Sequence, residues 1–254
     1  MTALLSLSGV TKRFGGLTAV SDVGFDVPEG AIYSVIGPNG AGKTTLFNLV
    51  SALFAPSEGE IVFDGHALHR ASTHQLVDFG IGRTFQNLAI FGHATVVQNL
   101  LVGLHHTLKA NPFTAALFWG PARNEEIRAR QQVEKIIDFL EIEHLRDTPV
   151  GLLSYGLQKR VELGRALATG PKLLLLDEMV SGMNSEETED IARFILDIRE
   201  ELGVTVVMVE HDMGIVMDIS DRVAVLNHGA LIGEGTPAEI SANEAVIQAY
   251  LGKN

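Results

Sequence analysis

Two patterns of hydrophobic residues are found along the chain. The first thirty residues place apolar side chains at every second position, as at Leu5 and Leu7, and turns rich in glycine or proline interrupt them. This period predicts short antiparallel strands joined by hairpins. Continuous apolar runs, such as 31–36 and 173–176, have the length of buried strands, and segments with helical spacing, such as 43–53, follow them. Strands that alternate with helices in this way predict an α/β fold.

The middle of the chain departs from this alternation. Between residues 87 and 153 the strand patterns disappear, and apolar residues recur at helical spacing over 123–140. This change predicts a helical insertion. We therefore predict a single domain over 1–254, in which an antiparallel β part and the first half of the core precede the insertion and the second half follows it. The predicted bounds of the three parts are 1–86, 87–158 and 159–254.

The strongest chemical signal is a glycine-rich segment between a predicted strand and a predicted helix. The segment 37–44 reads Gly-Pro-Asn-Gly-Ala-Gly-Lys-Thr and matches the phosphate-loop pattern G-x-x-x-x-G-K-[ST] in full. Its backbone N–H groups and the following helix N-terminus suit a nucleotide phosphate. We expect Lys43 to reach the β- and γ-phosphates and Thr44 to ligate Mg²⁺. The predicted nucleotide-binding residues of this loop are Gly37, Pro38, Asn39, Gly40, Ala41, Gly42, Lys43, Thr44 and Thr45.

A pair of carboxylates ends the apolar run at 173–176. Asp177 is placed to lie near Mg²⁺, and Glu178 is placed to act as a general base on the water that attacks the γ-phosphorus of ATP. A strand that ends in Asp-Glu is by itself most often a solvated strand end. Together with the phosphate loop, it predicts Mg²⁺-dependent ATP hydrolysis.

The segment Leu153-Ser-Tyr-Gly-Leu-Gln158 resembles the LSGGQ signature of ATP-binding cassette (ABC) ATPases. Gln86 in Arg-Thr-Phe-Gln-Asn and His211 in Val-Glu-His-Asp complete the ordered set of family motifs, which are the phosphate loop, glutamine loop, signature, Walker B and switch histidine. The resemblance covers nearly the whole chain. It implies a P-loop NTPase with a RecA-like core, an N-terminal antiparallel β subdomain and an α-helical insertion subdomain.

The resemblance also implies roles for individual residues. Phe14 stands where the family stacks an aromatic ring on adenine. Gln86 resembles the residue that touches Mg²⁺ or the attacking water, and His211 resembles the switch that contacts the γ-phosphate. Ser154 is a good N-cap and Gly156 permits close approach, so this helix start suits an anion. In the family it faces a nucleotide held by an opposing subunit, which implies a head-to-tail dimer.

A narrower resemblance concerns the kind of ABC protein. The segment Gly82-Arg-Thr-Phe-Gln-Asn87, the long insertion, Glu210-His-Asp-Met213 and the ending Ala249-Tyr-Leu-Gly252 resemble the larger ATPase subunit of bacterial branched-chain (hydrophobic) amino acid importers. Relatives of these importers take up urea, short amides or aromatic acids. The resemblance implies two membrane permeases, a second ATPase subunit and, indirectly, a periplasmic binding protein. It places the chain on the cytoplasmic face of the inner membrane, and homodimer and heterodimer both stay open.

Charge and composition bear on the alternative functions. The chain has 19 Lys and Arg against 31 Asp and Glu, for a net charge of −12. This charge opposes binding to nucleic acid, and therefore also a role as a soluble ABC ATPase that acts on nucleic acid. The chain has no Cys and no secretory signal pattern. It also has no apolar run of the roughly 18–20 residues that a membrane span requires, so we expect membrane contact through a partner. A P-loop kinase would lack the signature. An ATPase that exports lipid or lipopolysaccharide is the main alternative, because its size and motif order are the same.

Three positions depart from the family pattern. Leu157 replaces the usual Gly or Gln of the signature, Met179 stands where most relatives have Pro, and Asn184 stands where many have Asp. The phosphate-loop, base and switch residues all remain. We therefore expect an active but slow ATPase whose signature serves the opposing site less well.

Overall fold

The computed structural model describes residues 3–84, 88–105 and 121–251, and it has the predicted α/β character. The ten strands within these ranges are β1 (Ala3–Phe14), β2 (Leu17–Pro28), β3 (Ile32–Ile36), β4 (Glu58–Phe63), β5 (His66–Ala67), β6 (Ile81–Arg83), β7 (Leu173–Asp177), β8 (Thr205–Val209), β9 (Arg222–Asn227) and β10 (Ala230–Gly235). The α-helices are α1 (Lys43–Val50), α2 (Thr73–Phe79), α3 (Val96–Gly103), α4 (Pro121–Phe139), α5 (Tyr155–Ala168), α6 (Ser185–Leu202), α7 (Met213–Ile219), α8 (Pro237–Ser241) and α9 (Glu244–Leu251).

The N-terminal strands form an antiparallel sheet in the order β2-β1-β4-β5. The alternation predicted from the sequence is visible in β1, where Leu5 and Leu7 are buried and Ser8 is exposed. Leu5 pairs with Val27 on one side and with Phe63 on the other. One face of this sheet therefore contributes to the core, as the period of two requires.

The second sheet has six strands in the order β10-β9-β3-β8-β7-β6. Strands β9, β3, β8, β7 and β6 are parallel, and β10 adds to the edge as the antiparallel partner of β9. Every residue of β3, β7 and β8 is buried, which explains their continuous apolar runs. Because these three strands are parallel neighbours, the segments that follow them emerge at the same edge of the sheet.

The chain folds as two compact units. One unit contains both sheets and consists of the residues up to Arg83 together with those from Lys172 onward, and the other spans Thr84–Pro171. The predicted division at 86/87 and 158/159 stays a prediction. Within the described ranges, none of the helices is both long enough and apolar enough to cross a bilayer.

The unit at 84–171 is helical in its described residues. Its helices α3, α4 and α5 bury Leu100 and Val133 among other apolar side chains. Helix α3 lies so close to α5 that a Cβ atom on Gly103 would overlap the carbonyl oxygen of Arg165. Outside its helical turns, the described part of this unit has one isolated bridge, Thr95–Pro149, as strand pairing. The predicted helical character of the insertion agrees with this arrangement.

Candidate active site

The phosphate loop connects β3 to α1, and its backbone depends on glycine. Gly42 has φ 101° directly before α1, and a Cβ atom there would lie 2.5 Å from the carbonyl oxygen of Ala19. Gly37 has φ 152°, and a Cβ atom there would overlap the carbonyl oxygen of Leu226. Side chains at either position would therefore push the loop away from the neighbouring strands.

Lys43 is the cation of this loop. It is buried, and its Nζ donates to the carbonyl oxygens of Gly37 at 2.6 Å and Pro38 at 3.2 Å. Burial lowers the pKa of Lys43, and the nearby charge of Glu178 acts in the opposite direction. A phosphate group would supply the charged acceptor that these two carbonyls replace.

A cavity of about 570 Å³ opens above the loop. Its volume lies within the roughly 300–1,000 Å³ of small-molecule sites. Seven of the predicted loop residues line it, while Gly37 and Pro38 do not. The lining residues are Leu17, Thr18, Ala19, Asn39, Gly40, Ala41, Gly42, Lys43, Thr44, Thr45, Glu178, His211 and His228.

Glu178 and His211 both line this cavity, and their side chains contact each other there. Glu178 Oε1 lies 2.6 Å from His211 Nε2, and the His211 side chain is 44% exposed. With an ionised carboxylate, the proton of this contact lies on Nε2. Glu178 has φ 51°, a left-handed backbone that costs a non-glycine residue on the order of 1–3 kcal/mol and is concentrated at functional sites. The structure thus brings the predicted base and the predicted switch to the phosphate loop.

Asp177 lies deeper, at the end of β7, and has a cationic neighbour that the sequence analysis missed. Its Oδ2 accepts from Arg83 Nη2 at 3.2 Å, and the same Nη2 donates to Asn48 Oδ1 at 3.0 Å. Both charged side chains are largely buried. Burial lowers the pKa of Arg83, and the Asp177 carboxylate opposes that shift. Arg83 stands three residues before Gln86, in the segment that carries the glutamine loop, and this is the only sequence signal for it.

Glu210 is a second residue that the sequence analysis did not assign to the site. It is 2% exposed, and its Oε1 accepts from the backbone N–H of Val180 at 3.2 Å. Burial raises the pKa of Glu210 to about 7, although hydrogen bonds from the backbone of Val180, Met179 and His211 lower it. Glu210 therefore joins the segment after Glu178 to the switch segment.

The signature segment lies in the unit at 84–171. Ser154 is the N-cap of α5, as predicted, and its Oγ accepts from the backbone N–H of Leu157 at 3.4 Å. Ser154 is exposed and Gly156 is buried. Gln158 Nε2 donates to the carbonyl oxygen of Leu153 at 3.0 Å, which holds the residue before the cap. The helix start is accessible to a ligand.

Phe14 and Gln86 are the two remaining residues of the predicted site. Phe14 is 43% exposed at the end of β1, where its ring packs edge-to-face on Phe54 with 5.4 Å between centroids. Its cross-strand partner Leu17 lines the cavity, whereas Phe14 does not. Adenine stacking by Phe14 stays a prediction. Gln86 lies outside the described residues, and its contact with Mg²⁺ or water also stays a prediction.

The other departures from the family pattern have local structural roles. Asn184 is the N-cap of α6, where its Oδ1 accepts from Glu187 N at 3.0 Å and Glu187 Oε2 accepts from Asn184 N at 3.3 Å. Met179 is fully buried directly after Glu178. Asn184 therefore starts a helix and Met179 fills the core beside the site.

Comparison with known proteins gives consistent results. A family profile described as "ABC transporter" matches residues 20–181, and one described as "Branched-chain amino acid ATP-binding cassette transporter" matches residues 230–254. The chain is 43% identical over 251 residues to the high-affinity branched-chain amino acid transport ATP-binding protein BraF of Pseudomonas aeruginosa, covering 98% of both chains. It is 38% identical over 250 residues to the corresponding protein LivG of Escherichia coli K12, again covering 98% of both.

Solved structures that resemble this chain are also ATP-binding cassettes of ABC transporters. The ADP conformation of MJ1267, an ATP-binding cassette of an ABC transporter, matches the whole of both chains with a TM-score of 0.87 and 31% identity. The dimeric structure of MJ0796, a bacterial ABC transporter cassette, matches 92% of this chain and 98% of that chain, with a TM-score of 0.76 and 26% identity. The phosphate loop, Asp177, Glu178 and the predicted switch histidine His211 lie in this shared fold. The chain belongs to the ABC transporter family, as one of its ATP-binding subunits, and is an ATPase.

Proposed function

We propose that this chain is the ATP-hydrolysing motor of a bacterial importer for branched-chain amino acids or related small solutes. The observation that carries the catalytic part is that Lys43, Glu178 and His211 line one cavity. The solute class is supported by the relatives, which are named as branched-chain amino acid transport proteins, and by the profile matched at 230–254.

The proposed reaction uses the residues in the following way. The N–H groups of the phosphate loop and Lys43 hold the β- and γ-phosphates of ATP. Glu178 accepts a proton from the water that attacks the γ-phosphorus, the bond from that phosphorus to the bridging oxygen breaks, and ADP departs with that oxygen. His211 holds the Glu178 carboxylate before ATP binds and contacts the γ-phosphate afterwards. Glu178, which has a left-handed backbone, lines the cavity.

The residues at the site also suit Mg²⁺. Thr44 contributes an exposed hydroxyl in the cavity, and Asp177 contributes a buried carboxylate, both of them hard oxygen donors. We propose that these two residues hold the ion, together with Gln86 from the sequence prediction. When bound, Mg²⁺ neutralises part of the phosphate charge that develops during phosphoryl transfer.

The signature segment is proposed to act on a second subunit. Ser154 lies exposed at the start of a 14-residue helix, with a backbone suited to an anion. We propose that Ser154 and Gly156 complete the nucleotide site of an opposing ABC ATPase subunit, either a second copy or a related chain. The dimeric relative MJ0796 supports this assembly. ATP-driven closure of the dimer would move membrane permeases on the cytoplasmic face of the inner membrane, and a periplasmic binding protein would deliver the solute.

The test uses Glu178→Gln and a matched control, Glu189→Gln, which changes an exposed carboxylate on α6. In complexes with the permeases in vesicles, Glu178→Gln is expected to bind ATP normally, to release phosphate roughly 10²–10⁴-fold more slowly and to lose ATP-dependent leucine uptake. Glu189→Gln should match the wild type in all three measurements. Phosphate release by Glu178→Gln at the wild-type rate would contradict the assigned base, and hydrolysis coupled to lipid export instead of uptake would contradict the importer.

A further inference from the structure

The proposed reaction gives Asp177 a role as a Mg²⁺ ligand but gives none to Arg83, the buried cation that pairs with it. Arg83 ends β6, and Asp177 ends the neighbouring parallel strand β7. The guanidinium Nη2 lies 3.2 Å from Asp177 Oδ2, and the exposed fractions of the two side chains are 13% and 3%. An ion pair this buried is not a solvated surface contact, because both groups have lost most of their water.

Arg83 also contacts the helix that follows the phosphate loop. Its Nη2 lies 3.0 Å from Asn48 Oδ1, and its guanidinium carbon lies 5.9 Å from the ring centroid of Phe47. Asn48 and Phe47 belong to α1, the helix that carries Thr44 in its first turn. Arg83 therefore bridges the two elements that carry the described candidates for Mg²⁺ ligands, α1 and β7.

The charges determine the sign of the effect. The Arg83 guanidinium places a positive charge beside the Asp177 carboxylate. Mg²⁺ would bind to that same carboxylate. The cation either competes for the same oxygens or repels the ion from beside them, and both effects weaken Mg²⁺ binding. Before the metal arrives, the same contact keeps a buried carboxylate compensated.

We propose that Arg83 is a positioning residue that acts as the resident counter-ion of Asp177 and thereby sets the Mg²⁺ affinity of the nucleotide site. The inference rests on the proposed role of Asp177 as a magnesium ligand. In this proposal Arg83 lowers the Mg²⁺ affinity of the nucleotide site. When no ion is bound, Arg83 neutralises the buried Asp177 carboxylate.

The test measures Mg²⁺ binding directly. Arg83→Gln keeps a hydrogen-bond donor near Asn48 and Asp177 but removes the charge, and Arg83→Lys keeps the charge. The ADP-bound protein is titrated with Mg²⁺, and binding is measured by thermal shift and by competition with Mn²⁺ in electron paramagnetic resonance. We expect Arg83→Gln to bind Mg²⁺ roughly tenfold more tightly than the wild type. Arg83→Lys should stay close to the wild type. Arg222→Met removes a cation from another strand of the same sheet, where it pairs with Glu234 at 3.2 Å, and should leave Mg²⁺ affinity unchanged.

Asp177→Asn separates the two hypotheses. If Asp177→Asn leaves Mg²⁺ affinity intact, the assignment of Asp177 in the proposed function is wrong. If it weakens Mg²⁺ binding while Arg83→Gln binds Mg²⁺ no more tightly than the wild type, the counter-ion role of Arg83 alone is wrong. Should Arg83→Gln be unstable without metal, its melting temperature is still expected to rise more with Mg²⁺ than that of the wild type, and a smaller rise counts against the proposal.

Discussion

Replacing Glu210 with glutamine is expected to remove a carboxylate whose ionisation opposes folding. Glu210 is 2% exposed, and burial raises its pKa to about 7 from an ordinary value of 4.5. Backbone N–H groups, including that of Val180 at 3.2 Å, stabilise the ionised form but do not cancel the desolvation. The carboxylate is therefore held where its charge is unfavourable.

The sign follows from the raised pKa. Below pH 4.5 Glu210 is protonated in both folded and unfolded chains and contributes nothing to the pH dependence. Above pH 7 it is ionised in both, and the folded state bears a penalty of about 3 kcal/mol, since each pKa unit corresponds to about 1.4 kcal/mol. Stability is thus lost as the pH rises through this window. Integration of the two titrations gives a change of about 2 kcal/mol between about pH 5.5 and 8.5.

Urea unfolding at several pH values in this range measures the effect. Glutamine does not titrate, so the free energy of unfolding of Glu210→Gln minus that of the wild type should rise by about 2 kcal/mol with pH. A constant offset is expected from the altered contact with Val180. Glu189→Gln, an exposed change, should give a curve parallel to the wild type. A difference for Glu210→Gln that stays flat within about 0.5 kcal/mol would refute the burial argument.

Three further substitutions, one of them a control, test the loop and a helix start. Gly42→Ala is expected to lose nucleotide binding and roughly 2–5 kcal/mol of stability, because its Cβ would meet the Ala19 carbonyl oxygen at 2.5 Å in a left-handed backbone. Gly40→Ala has no atom within 4 Å of the new Cβ and should lose only about 1–2 kcal/mol, so equal losses in urea unfolding would contradict the steric explanation. Asn184→Ala should cost about 1 kcal/mol through the lost N-cap and leave ATP binding unchanged; altered nucleotide affinity would show a role beyond capping.

The sequence predicts the elements whose signal is local. The alternation in β1 and β2 and the apolar runs of β3 and β7 are found where the pattern places them. Helix α2 was not predicted, because only its Leu76 is buried and one buried residue leaves no helical period. Helix α3 was not predicted either, although Thr95 and Gln98 form a capping box that the T-x-x-Q spacing could have indicated. Strand β6 has three residues, too few for any period.

The candidate site was predictable in its motifs but not in its contacts. Lys43, Asp177, Glu178 and His211 stand in segments that local spacing identifies. Arg83 and Asp177 are 94 residues apart and Glu210 and Val180 are 30 apart, so only strand order and tertiary packing bring them together. The left-handed backbone of Glu178 likewise follows from its surroundings, since glutamate has no intrinsic preference for it.

Strand order also explains why the motifs can act together. Strand β8 lies between β3 and β7, so the phosphate loop and the Asp177-Glu178 pair emerge from second-neighbour strands. With neighbouring strands about 4.8 Å apart, the two ends are separated by about 10 Å, a gap that a γ-phosphate and one water molecule can fill. His211 follows β8, the middle strand, and its Nε2 lies 2.6 Å from Glu178 Oε1. Strand order thus places the loop cation Lys43, the predicted switch His211 and the predicted base Glu178 at three adjacent strand ends of one sheet.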